Sequence, residues 1–226
     1  MKEKILWICP SRKRPERLKR LILSWKHTTT NLSDLLVVVD SDDSSYEDLM
    51  KLYPEVMWEI TEPVFGSFLH LINSKAVKYS TEYAYVGFME DDIVFETVGY
   101  EDKFISKLKE LGKTGIVHAK DGIDKRRFVS IPVIDSHIVR TLGWFAPPCL
   151  RSLWADNFWR EMATYLGTYY KFEDVLIKHY HYSRDENTNK DETSEIVNNN
   201  FHPDKEAFYK YLETTFKNDM ETLLNA

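Results

Sequence analysis

At 226 residues, 43% hydrophobic and 29% charged, the chain is long enough for one domain with a substantial core and a well-solvated surface. A formal net charge of -6 argues against generic nucleic-acid binding, and no apolar run approaches the ~20 residues that span a bilayer. Cys9 and Cys149 have neither disulfide-framework nor metal-ligand spacing, and the N-terminus is too short in apolar residues for a signal peptide, so a reducing, cytoplasmic setting is expected.

Lys4 to Cys9 reads as a first strand ending at Pro10, followed by the basic stretch Ser11 to Arg20. Leu18, Leu21, Ile22 and Trp25 then recur at i, i+3, i+4 and i+7, the stripe of a helix buried on one face. Leu35 to Val39 is a continuous apolar run, as expected of a strand covered on both faces. It ends in Asp40-Ser41-Asp42-Asp43-Ser44-Ser45, which can cap a helix starting near Tyr46. Val56 to Ile60 is a third strand, Phe68 to Tyr79 a helix, and Tyr83 to Met89 a fourth strand running into Glu90-Asp91-Asp92.

The second half is less regular. A helix is predicted over Phe104 to Leu111, strands over Gly115 to His118 and Phe128 to Val133, and a helix over Ser136 to Leu142. After a Pro- and aromatic-rich loop come a helix from Trp154 to Leu166 and a short strand over Val175 to Ile177. Arg184 to Glu195 is polar and aperiodic, hence a predicted loop, and one last helix begins near Pro203. Strands alternating with helices predict an α/β domain with a mainly parallel central sheet flanked by helices, and a C-terminal helix.

In such sheets ligands gather beyond the carboxyl ends of the strands. Here those ends are Pro10-Ser11-Arg12, Asp40-Ser41-Asp42-Asp43 and Glu90-Asp91-Asp92, three polar clusters at equivalent positions that read as one site. Glu90 and Asp92, one residue apart, can face the same way, and two such carboxylates repel unless a cation lies between them. Hard oxygen ligands with an incomplete shell suit Mn²⁺ or Mg²⁺; an acidic capping turn is the plainer alternative. His179 and His181 are spaced to share a side in extended chain and so to complete a metal shell, or they are surface histidines. Asp156, in the first turn of its helix, is either a helix-dipole residue or a general base for an acceptor hydroxyl. There is no Gly-x-x-x-x-Gly-Lys-Ser/Thr, Gly-x-Gly-x-x-Gly, Gly-x-Ser-x-Gly or His-Glu-x-x-His, which argues against P-loop NTPases, Rossmann dehydrogenases, α/β-hydrolases and zinc proteases.

The order of these motifs resembles GT-A glycosyltransferases, particularly family 2-type enzymes and short phage and bacterial ones, over nearly the whole chain to about residue 200. Pro10 to Pro15 is similar to the family's opening motif, and Val37 to Asp43 to its base- and ribose-contacting strand end. Gly87 to Ile93 resembles the metal-binding Asp-x-Asp, with Glu90 in place of the first Asp and Asp92 the favoured ligand. Phe145 to Trp159 resembles the acceptor loop and the helix carrying the base, with Ala155 where an acidic residue is usual, and Ile177 to His181 resembles the late histidine motif.

The resemblance implies a single GT-A (Rossmann-like) domain, with a nucleotide-binding half over residues 1–95, an acceptor half over 96–200 and a C-terminal helix over 201–226. It implies donor contacts from Pro10, Ser11, Arg12, Arg14, Asp40, Asp42, Glu90 and Asp91, with Asp121 near the sugar hydroxyls. Asp92 with His179 or His181 would hold Mn²⁺ or Mg²⁺, and Asp156 would be the base of an inverting transfer. The donor it implies is a nucleoside-diphosphate sugar, UDP-linked because the family uses UDP most. The acceptor expected on that resemblance is a saccharide, a lipid-linked glycan, a protein or a modified base of phage DNA, with oligomeric state left open. A non-catalytic carbohydrate- or nucleotide-binding module and a nucleotidyltransferase are the alternatives.

Overall fold

The computed structural model describes residues 1–122, 129–180 and 191–226. In chain order the elements are β1 (Lys2–Ser11), α1 (Pro15–Thr28), β2 (Ser33–Asp40), a 3₁₀ turn (Ser44–Tyr46), α2 (Glu47–Leu52), β3 (Met57–Thr61), α3 (Phe68–Tyr79) and β4 (Tyr83–Phe88). There follow β5 (Ile93–Phe95), α4 (Tyr100–Leu111), β6 (Ile116–Lys120), β7 (Pro132–Asp135), α5 (Ser136–Leu142), α6 (Ala155–Leu166), β8 (Tyr169–His179), α7 (Glu192–Asn198), α8 (Phe201–Thr214) and α9 (Phe216–Leu224).

The eight strands among the described residues form one sheet in the order β3-β2-β1-β4-β7-β6-β8-β5. The run from β3 to β4 is parallel, as is the β6–β8 pair. β7 enters antiparallel between β4 and β6, and β5 pairs antiparallel with β8. The expected α/β class with a mostly parallel, two-faced sheet is therefore what forms. Strand alternation divides the core. Ile5, Trp7, Cys9, Leu35, Val37 and Val39 pack against α1, α2 and α4. Leu6, Ile8, Leu36, Val38, Val86 and Phe88 pack against α3, α5, α6, α8 and α9. No described helix is long and apolar enough to cross a membrane.

Several boundaries differ from the sequence expectation. The strand expected over Val175 to Ile177 is the central part of the eleven-residue β8, whose first residues Tyr169 and Tyr170 are exposed. Its early residues pair with β6 rather than burying an apolar run, so hydrophobicity alone did not mark them. The three-residue β5 was not anticipated. The single final helix is two, because Thr215, with φ -127, breaks the helical backbone between α8 and α9. Of the polar loop expected over Arg184 to Glu195, the described part is not loop: α7 starts at Glu192, with Asp191 as its N-cap accepting from the Ser194 amide.

The centre of the sheet leaves no room for a side chain at Gly87, where an added Cβ would lie 2.5 Å from the Trp7 ring. Trp7 is itself pinned by a 2.9 Å hydrogen bond from Nε1 to the Tyr100 hydroxyl. Overpacking of this kind costs about 1–3 kcal/mol. Gly87→Ala should lower the unfolding free energy by that amount, read as a lower denaturant midpoint at unchanged m, and an unchanged midpoint would show that Trp7 can yield.

Candidate functional site

The parallel run β2-β1-β4 brings its three carboxyl ends to the same edge of the sheet. β1 ends at Ser11, β2 at Asp40, and the chain leaves β4 through Met89, whose amide still bonds the Ile8 carbonyl at 3.1 Å. Glu90-Asp91-Asp92 then turns before β5. Antiparallel pairing sets Ile93 opposite His179, and the Tyr180 amide donates to the Asp92 carbonyl at 3.0 Å. This short ladder carries the end of β8 to the acidic turn.

Glu90, Asp92 and His179 consequently converge. His179 Nε2 lies 3.1 Å from Asp92 Oδ1 and 3.2 Å from Glu90 Oε2. Each residue offers one ligand atom, and these atoms all lie within 4.8 Å of one another, an arrangement that could hold a metal ion. Burial opposes a charged imidazole, yet the two carboxylates outweigh it and raise His179 to about 10. Glu90 thus sits with the metal candidates rather than with donor contacts alone. His181 lies outside the described residues.

Asp91 points elsewhere. Its carboxylate is buried, accepts from Ser11 Oγ at 2.7 Å and pairs with Arg14 Nη1 at 3.2 Å. Burial pushes it up to about 6 against the pull of Arg14. Ser11 Oγ also meets the buried Tyr46 hydroxyl at 2.7 Å, and that hydroxyl accepts from the Arg14 amide at 3.0 Å. Arg12 reaches β2 instead, with Nη1 2.6 Å from both Asp40 Oδ2 and Asp42 Oδ1, while Nη2 bonds Asp42 Oδ2 at 2.9 Å. Its guanidinium lies 4.7 Å from the ring centroid of the exposed Phe65.

An open cleft joins these groups. Pro10, Ser11, Arg12, Arg14, Asp40, Glu90, Asp91 and Asp92 line it from the sheet edge, Phe65, Gly66 and Phe68 from one rim, and Ser194, Ile196 and Val197 of α7 from another. Asp42 and His179 are not part of the lining but touch it, through Arg12 and through Glu90 and Asp92, whereas two other predicted residues stand apart. Asp121 is not among the lining; its carboxylate accepts from Ser130 Oγ at 2.9 Å and its carbonyl accepts the His179 amide at 3.0 Å. Asp156 is not among the lining either, although Leu153 is, and its carboxylate accepts from the Asn157 amide at 2.9 Å.

The approach to Asp156 is nevertheless firmly held. The buried Asp204 of α8 accepts the amides of Arg151, Ser152 and Leu153 at 2.8–3.0 Å. Trp154, the N-cap of α6, takes a left-handed φ of 69°, costly for a bulky residue. Sequence reasoning missed Asp204, Tyr46, Asp191 and Ser194. Asp191-x-x-Ser194 ahead of Glu195 was a legible helix-start signal; the others offered none.

No protein-family model and no curated protein matches the sequence. Solved structures do match. Residues 1–349 of S. aureus TarS superpose with a TM-score of 0.59 at 14% identity, covering 78% of this chain and 60% of that one. The Pyrobaculum calidifontis mannosyltransferase PcManGT, solved with GDP-Man and Mn²⁺, gives 0.56 at 13% identity, covering 100% and 74%. The catalytic domain of Drosophila β1,4-galactosyltransferase 7, in complex with xylobiose, gives 0.54 at 12% identity, covering 87% and 79%. The chain has a GT-A glycosyltransferase fold. At these identities the likeness is one of fold, and the chain spans less than two thirds of the TarS fragment.

The geometry separates neighbouring acids. Added Mn²⁺ should raise the melting temperature of the wild type and of Asp91→Asn, but not of Asp92→Asn or His179→Ala. Because a proton on His179 competes with the ion, the rise should grow from about pH 6 to about pH 8. A response lost in Asp91→Asn and kept in Asp92→Asn would reverse the assignment.

Proposed function

We propose that the chain is a metal-dependent glycosyltransferase, moving a sugar from a nucleoside-diphosphate sugar to an acceptor hydroxyl with inversion. The observation that carries this reading is the Glu90, Asp92 and His179 cluster beside an arginine-lined cleft at the strand ends of this fold. Two carboxylates and one imidazole suit Mn²⁺ better than Mg²⁺, which prefers an all-oxygen shell. When bound, such an ion neutralises charge that builds on the leaving diphosphate.

The protein's own residues do the rest. Residues 1–95 form the donor half, with base and ribose over Pro10, Ser11, Arg12, Asp40 and Asp42, and Arg14 as a guanidinium partner for phosphate. Asp91 holds Ser11 and Arg14 in place from below. Residues 96–200 form the acceptor half, followed by the C-terminal helices. There Asp156 would take the proton of the attacking hydroxyl, and Asp121 would stand near the sugar hydroxyls. Asp156 lies on α6 and is not part of the cleft lining, which is compatible with a role on the acceptor side.

TarS has been solved with UDP and with UDP-GlcNAc, and the mannosyltransferase with GDP-Man, which supports a UDP- or GDP-linked donor. The acceptor classes remain a saccharide, a lipid-linked glycan, a protein or a modified DNA base.

Screening UDP-, GDP-, CDP- and dTDP-sugars with Mn²⁺ for slow donor hydrolysis tests turnover directly. One sugar nucleotide should be consumed, and none consumed would favour a binding module. With an acceptor in hand, Asp156→Ala should bind donor normally and lose about 100- to 10,000-fold in transfer, the span of general-base catalysis. Unchanged turnover would remove Asp156 as the base.

A further inference from the structure

Arg14 is surrounded by carboxylates on two sides. Nη1 faces Asp91, while Nε and Nη2 grip Asp191 at 2.8 and 2.6 Å, a two-pronged contact along one edge of the planar guanidinium. Arg17 Nη2 adds a second cation to the same carboxylate at 3.4 Å. Asp191 in turn accepts the amide of Ser194 at 2.9 Å and its hydroxyl at 2.8 Å, so this carboxylate starts α7. The far end of the same segment is fastened across the cleft, where Asn200 Nδ2 bonds the Gly66 carbonyl and Ser152 Oγ. Between those anchors Ser194, Ile196 and Val197 form one wall of the cleft, and Arg14 and Arg17 are part of the same lining.

A guanidinium fork donates to carboxylate and to phosphate oxygens with the same planar two-point geometry. Arg14 and Arg17 are cations of the cleft that bears the acidic cluster, and their shared partner comes from a helix rather than from the sheet edge. We propose that Asp191 is an internal anion held in the place of the donor's diphosphate, so that a phosphate-bearing ligand must displace it from Arg14 and Arg17. The proposal rests on the donor-site reading above and adds its regulation: binding exchanges one anion for another, and the loss of the Asp191 contact releases the start of α7.

The charge can be removed without removing the cap. Asn and Ser both accept from a helix N-terminal amide, so Asp191→Asn and Asp191→Ser keep the start of α7 while abolishing the anion. Calorimetric titration with inorganic pyrophosphate, UDP and GDP, each at saturating Mn²⁺, reads the competition. Both variants should bind the phosphate-bearing probes about tenfold more tightly than wild type, a size usual for coupling between linked contacts. Uridine and guanosine, which carry no phosphate, should bind all three proteins alike. Equal or weaker binding of pyrophosphate, UDP and GDP by the variants, with the wild type binding, would overturn the internal-anion proposal and leave the donor site standing. A gain of the same size for the nucleosides would also overturn it, by showing a general loosening of the cleft. A wild type that binds none of the phosphate-bearing probes would bring down the donor-site reading and this proposal together.

Discussion

Two arginines hold the site together. Asp40 and Asp42 are gathered by Arg12, and Asp91 and Asp191 by Arg14, at the edge where β1, β2 and β4 end. Parallel strands force their polar termini into one small volume, and carboxylates packed this closely repel unless cations are interleaved. Both arginines come from the short passage between β1 and α1, so one turn neutralises acids contributed by β2, the β4 turn and the start of α7. What is left with acidic character is the pair Glu90 and Asp92, and its partner is the imidazole of His179. The division is functional in its logic. Arginine-bound acids already have a permanent cation as partner, while acids facing an imidazole would, on the proposed reading, exchange its proton for a metal.

The sheet's first half was legible because its signals are simple. Leu35 to Val39 is buried on both faces and reads as such, and the stripes of α1 and α3 recur at helical spacing. The identity of the strand ends followed, and with it the meeting of Pro10 to Arg12, Asp40 and Glu90 to Asp92. The second half obeys weaker cues. β5 has three residues, too few for any periodicity, and β8 owes its length to pairing with β6 rather than to apolar content. α7 offers only Ile196 and Val197 as apolar residues, and its start is written in capping chemistry.

The site was legible in composition but not in wiring. That Glu90 and Asp92 share a direction was readable from their spacing, although the backbone there is a turn rather than strand. That Asp91 instead turns to Ser11 and Arg14 depends on contacts made across about 80 residues of chain. The Arg14–Asp191 pair is separated by 177 residues, and Asp204 reaches 51–53 residues back to the turn ahead of α6. Such pairings are fixed by topology, above all by the β5–β8 ladder that delivers His179, and no local pattern announces them.

The central claim is that this edge of the sheet binds a divalent ion together with a nucleoside diphosphate. An anomalous-difference map from crystals grown with Mn²⁺ and UDP or GDP tests it most directly. The account predicts one strong peak among Glu90, Asp92 and His179, with diphosphate density between that peak and Arg14. A peak on other residues, or ordered nucleotide away from the Arg12–Arg14 turn, would contradict it.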